Sequence, residues 1–121
     1  MILEDFDWNF IDALVYGYGP EDPIGKWLPE MEGEELLSFE DGDKFDELMK
    51  KRWQLCKSEL DYYDLEKSYE VNYYYFKDLI NNDYYCIEVL SSPYNEGEIR
   101  ALYKAEPYTH TVEDFKRICK I

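Results

Sequence analysis

Between residues 69 and 106 the apolar residues recur at every second position over several stretches, and this points to extended strands there, with a mostly helical protein carrying a small hairpin as the alternative. Tyr69, Val71, Tyr73 and Tyr75 share one face, while Glu70, Asn72, Tyr74 and Phe76 share the other. Only a pleated strand sends successive side chains to opposite sides, and Tyr, Val and Phe suit it. Asn81-Asn82-Asp83 supplies a turn, after which Tyr84–Leu90 reads as a second strand with Tyr85, Ile87 and Val89 on one face. The segment from Ser92 to Gly97 makes the next reversal. In the third strand Ile99, Ala101, Tyr103 and Ala105 alternate with Glu98, Arg100, Leu102, Lys104 and Glu106, and Pro107 is expected to end it. Short connections between three strands predict an antiparallel meander over 68–106.

The flanking segments carry a helical period. Asp5 or Asp7 can cap a first helix with Phe6, Phe10, Ile11, Leu14 and Val15 on its inner stripe, stopped by Gly17-Tyr18-Gly19-Pro20. Residues 20–34 read as a long loop, and 34–39 as a short helix. A central helix is expected over 43–61, with Asp43 as N-cap and Phe45, Leu48, Met49, Cys56 and Leu60 on one face, widened by Trp53 and Leu55. Thr111 and Asp114 resemble a capping box opening a last helix over 111–120 that carries Val112, Phe115, Ile118 and Cys119 inward. These elements predict an α+β fold: a three-stranded antiparallel β-meander packed with two N-terminal helices and one C-terminal helix. At 121 residues, 1–121 is expected to be a single domain.

Charge separates the two halves. The chain holds 28 acidic and 13 basic residues, a formal net charge of −15. Residues 1–48 contain 15 acids and two bases, Lys26 and Lys44, for a net of −13. The remaining 73 residues carry 13 acids and 11 bases, a net of −2. The acidic part is no plain tail, because Phe6, Trp8, Phe10, Ile11, Leu14, Trp27 and Leu28 are interleaved with its carboxylates and require burial. This balance argues against direct binding to nucleic acid, which needs clustered Lys and Arg to neutralise phosphates. No apolar run is long enough to span a bilayer, and the opening Met-Ile-Leu-Glu-Asp-Phe-Asp lacks the basic start of a secretory signal, so a cytoplasmic location is expected.

Catalytic and metal-binding patterns are missing. Cys56, Cys86 and Cys119 are widely spaced and form neither a Cys-x-x-Cys nor an even framework. His110 is the single histidine and has no local nucleophile signature around it. Glu40-Asp41-Gly42-Asp43 lacks the ligand alternation of a calcium loop, with its glycine at position six and glutamate at twelve. Gly17-Tyr18-Gly19 is no phosphate cradle, since the third glycine and the strand-to-helix setting are absent. No enzyme, catalytic residue, cofactor or metal is expected.

What remains is an acidic surface with aromatic residues, and Tyr and Trp dominate protein contact hot spots. Part of the tyrosine set at 62–85 is expected to be exposed for contact, because Tyr73-Tyr74-Tyr75 must face both ways. The expected patch is Tyr16, Tyr18, Trp27, Glu30, Glu32, Glu34, Glu35, Glu40, Asp41 and Asp43. Its complement is a basic protein, and nucleases and other RNA- or DNA-directed effectors are basic where they hold phosphates. The expectation is an acidic inhibitor occluding such a face, in the manner of a bacterial immunity protein that neutralises a cognate antibacterial toxin. The alternatives are a nucleic-acid mimic acting on a defence nuclease and a non-catalytic structural or regulatory subunit.

Overall fold

A computed structural model describes residues 2–17, 26–31, 39–64, 69–91, 97–109 and 113–121. They fall into two compact units, Met1–Gln54 and Leu55–Ile121.

The first unit is a small helical assembly around aromatic rings. Asp7 caps helix α1 (Trp8–Ile11), its carboxylate accepting the Phe10 N–H at 2.9 Å. The chain continues through a π-helical turn, Asp12–Tyr16, and stops at Gly17, whose φ of +73° places it in the left-handed region that glycine reaches without steric cost. This matches the stop expected from the sequence. Helix α2 spans Phe39–Arg52 and turns Phe45 and Met49 inward, four residues apart on one face. Its outer face carries the i, i+4 pairs Lys50–Asp46 at 2.9 Å and Lys51–Glu47 at 2.8 Å. Phe6, Phe10, Trp27, Phe45 and Trp53 make a chain of edge and tilted contacts with centroids 4.7 to 6.1 Å apart. Inside it the Trp53 indole Nε1 donates to the Trp27 carbonyl at 2.8 Å.

The second unit is a five-stranded antiparallel sheet, and here two expectations are corrected. The strands are β1 (Trp53–Asp64), β2 (Tyr69–Asp78), β3 (Asp83–Ser91), β4 (Glu98–Thr109) and β5 (Glu113–Lys120), ordered as they occur in the chain. There are five strands rather than three. No helix occupies the described part of 111–120, because residues 113–120 pair with β4 from Thr109↔Glu113 to Tyr103↔Lys120. The central helix ends at Arg52 instead of 61, and Asp43 lies within it rather than capping it. Strand β1 begins at the residue after Arg52, Trp53, whose indole is tied to the Trp27 carbonyl. The segment expected as a short helix at 34–39 lies outside the described residues apart from Phe39. Strand β4 also runs on through Pro107, two residues past its last β3 partner, Ala105. At that point only β5 flanks it, so the missing N–H of proline costs the ladder nothing on the β3 side.

Register assigns the side chains. Tyr75 pairs with Cys86 and Cys86 with Tyr103 on one face, while Tyr74 pairs with Ile87 and Ile87 with Leu102 on the other. Neither face of the central strands is wet. Val71, Tyr73, Tyr75, Cys86 and Ala105 form one buried cluster, and Tyr74, Phe76, Tyr85, Ile87, Val89 and Leu102 are buried on the opposite face. The expectation of an exposed tyrosine face is therefore corrected: Tyr73, Tyr74 and Tyr75 are all buried.

The sheet curls around the Tyr75 face. Strands β2 and β5 would lie roughly 14 Å apart in a flat sheet at about 4.8 Å per step. Yet Phe115 of β5 stacks on Tyr75 of β2 with centroids 5.8 Å apart.

Candidate functional site

The predicted contact residues divide three ways. Tyr16 is 61% exposed, at the end of the π-helical turn. Glu30 is exposed on a one-turn 3₁₀ helix, Pro29–Met31, and Asp43 is exposed on α2. Glu40 and Asp41 belong to the first turn of α2. Tyr18, Glu32, Glu34 and Glu35 lie outside the described residues. Trp27 is fully buried. It packs between Phe10 and Phe45, so it is a core residue and not a contact residue. Its nearness to the acids in sequence places it in the predicted patch, although its apolar character also marks it for burial.

Trp8, which was not among the predicted contacts, is 38% exposed on α1 and adds an aromatic edge to the surface of the first unit. Glu4 is exposed beside it in sequence, and Lys26 approaches Asp5 to 3.9 Å.

A second set of polar groups gathers on the concave face of the sheet. The Tyr103 hydroxyl donates to Glu88 Oε1 at 3.1 Å, and Arg100 Nε lies 3.7 Å from Glu88 Oε2. Beyond burial, Arg117 and Glu88 both act on the Tyr73 phenol, the guanidinium lowering its pKa and the carboxylate raising it. The guanidinium of Arg117 stands 4.0 Å from the Tyr73 ring centre and 5.7 Å from that of Tyr103. Burial, reinforced by the neighbouring Glu88 carboxylate, raises the Tyr73 and Tyr103 phenols above their ordinary value. Burial likewise pushes the Cys86 thiol up to about 12 and the Tyr75 phenol upward. These groups are held neutral and are hydrogen-bonded to one another. A thiol in that state is a poor nucleophile, because the thiolate is the reactive form. The network therefore fixes the curl of the sheet, and its members come from β2, β3, β4 and β5.

Among the described residues no three His, Cys, Asp or Glu side chains are grouped to hold a metal ion, and His110 lies outside them. No described helix is long and apolar enough to cross a membrane.

No protein-family model, no curated protein and no solved structure matches this chain. Its function is therefore argued from its own surface.

Proposed function

We propose that this protein is a non-catalytic acidic inhibitor that binds and occludes a basic face of another protein. In its most specific form it is a cytoplasmic bacterial immunity protein that neutralises a cognate antibacterial toxin of the nuclease type. The observation that carries this reading is the charge split: a net of −13 within residues 1–48, in a stretch that also exposes Trp8 and Tyr16. Exposed Glu30 and Asp43 lie in the same stretch. Dense carboxylate steers a cationic partner into encounter, and aromatic rings among the acids hold it by area and by cation–π contact.

The test is association with the purified product of the adjacent gene, followed over a range of salt concentrations. The expected outcome is a one-to-one complex whose on-rate falls steeply with salt. Neutralising Glu30, Glu32, Glu34, Glu35, Glu40, Asp41 and Asp43 together slows association by about tenfold or more and flattens the salt dependence. An unchanged on-rate places the contact elsewhere. A nucleic-acid mimic would instead compete with a DNA or RNA duplex for a defence nuclease, and a structural subunit would inhibit nothing.

A further inference from the structure

Trp8, Asp12 and Tyr16 recur at four-residue intervals along the first helical stretch, and the backbone between them changes its winding. Up to Asp12 it is α-helical, the Asp12 N–H reaching back to the Trp8 carbonyl. Beyond that residue the turn is π-helical, and the Gly17 N–H is shared by the Ala13 and Asp12 carbonyls, four and five residues back. Four residues overshoot an α-helical turn of 3.6 but fall short of the wider π turn, so the rotation gained from Trp8 to Asp12 is given back from Asp12 to Tyr16. The three side chains therefore line up along one face. Burial agrees with this: Phe10, Ile11 and Ala13 fall on the opposite side and are buried, whereas Trp8 and Tyr16 are exposed and Asp12 is partly exposed. Side chains four apart on a helix stand about 5–6 Å from one another at Cβ, which sets the Asp12 carboxylate between an indole and a phenol. Single π turns are rare and frequently mark functional positions.

We propose that Trp8, Asp12 and Tyr16 form a clamp for one arginine side chain, presented by a basic protein partner. The clamp rests on the inhibitor reading for its partner, and names the group of that partner which this face takes. The chemistry is local to the face. A carboxylate calls for a cation, and exposed rings on either side of it call for a cation with a flat, weakly hydrated surface. Guanidinium meets both demands, since it pairs with a carboxylate through a fork of N–H donors and stacks on aromatic faces. The ammonium of lysine is a strongly hydrated point charge and gains less from the rings. Residues 1–17 contain Glu4, Asp5, Asp7 and Asp12 and no Lys or Arg, so the segment attracts a cation and supplies none. A purely apolar occupant, such as the interior of a bilayer, would leave the Asp12 carboxylate covered and unpaired.

The experiment titrates the full chain with hexa-arginine and, separately, with hexa-lysine, two peptides of equal charge, taking affinity from calorimetry and the Trp8 indole N–H signal from NMR. Hexa-arginine is expected to bind at least about fivefold more tightly and to shift the Trp8 signal. The double variant Trp8→Leu, Tyr16→Leu keeps every charge and should bring the two peptides within about twofold of each other. Asp12→Asn, which leaves both rings in place, should weaken hexa-arginine more than hexa-lysine. In the complex with the purified product of the adjacent gene, the double variant is expected to dissociate about five- to thirtyfold faster at an unchanged on-rate, because the charge that steers encounter is intact. Equal affinities of the parent chain for the two peptides, or an unchanged off-rate, overturn the clamp and leave the inhibitor reading standing. An arginine preference that the double variant erases, with no binding of the neighbouring gene's product, overturns the inhibitor reading while the face remains an arginine site. Binding to phosphatidylcholine vesicles, or a dimer in sedimentation, that the double variant abolishes also overturns the clamp.

Discussion

Arg117 of β5 places its guanidinium carbon 4.0 Å from the centre of the Tyr73 ring of β2, although β3 and β4 lie between their strands. That contact, with the Tyr75–Phe115 stack beside it, fastens an edge strand across the hollow of the sheet. Arg117 is exposed to solvent, so a cation–π contact of this kind contributes about 0.5–1 kcal/mol.

Replacing Arg117 with Met keeps the aliphatic stem and removes the charge. Stability is expected to fall by about 0.5–1 kcal/mol in urea unfolding. Combined with Tyr73→Leu, the losses should be less than additive, and full additivity would show that the two groups act independently.

Trp53→Phe retains a ring in the first unit but leaves the Trp27 carbonyl without its 2.8 Å donor. A buried acceptor stripped of its partner costs about 1–3 kcal/mol, with the smaller ring adding a packing loss. Thermal unfolding of the variant measures the sum; a midpoint equal to that of the parent would assign the hydrogen bond no weight.

High pH should destabilise the second unit through the Cys86 thiol and the Tyr73, Tyr75 and Tyr103 phenols. Burial raises Cys86 from 9.0 to about 12, and raises Tyr73, Tyr75 and Tyr103 from 10.0. Below about pH 8 these groups are largely protonated in both states and the folded form has its full stability. As the pH rises further the unfolded chain loses protons that the folded chain retains, so stability falls toward the folded-state values. Urea midpoints measured between about pH 7 and pH 11 should decline, and Cys86→Ala should delay the onset toward the tyrosine range. A flat profile up to about pH 11 would contradict the burial of these groups.

Asp78→Ala removes an acceptor of three turn hydrogen bonds. The exposed turn donors regain water, so a loss of about 1.5–3 kcal/mol is expected rather than the sum of three bonds. The neighbouring changes Leu79→Ser and Ile80→Ser should each stay within about 0.5 kcal/mol of the parent. Chemical denaturation of the three variants side by side makes the comparison.

The middle of the sheet is legible in the sequence because β2, β3 and β4 are each paired on both sides, and their apolar residues record burial with the pleat's own period. The edge strands are not. In β5 Phe115 is half-buried, while Ile118 is 53% exposed and Cys119 is exposed. The part of the apparent stripe that is described, Phe115, Ile118 and Cys119, therefore does not form one buried face. In β1 the residues Trp53, Cys56 and Leu60 fit a helical stripe equally well, yet Trp53 belongs to the aromatic core of the first unit, Cys56 to the sheet cluster, and Leu60 is 57% exposed. Of the contact patch, Tyr16, Glu30 and Asp43 are exposed where charge and aromatic content placed them. Trp27 was misread because composition shows that a tryptophan is near acids without showing which way its ring points.

Strands adjacent in sequence are also adjacent in space throughout the sheet. Each pairing therefore closes only a short stretch of chain, and the loop entropy to be overcome at each step is small. The hairpin closed by Asp78 provides a local starting point from which β1, β4 and β5 can be added in turn. Refolding of this all-antiparallel sheet should accordingly be fast for its strand content, and Asp78→Ala should slow the folding arm of the chevron more than it speeds the unfolding arm.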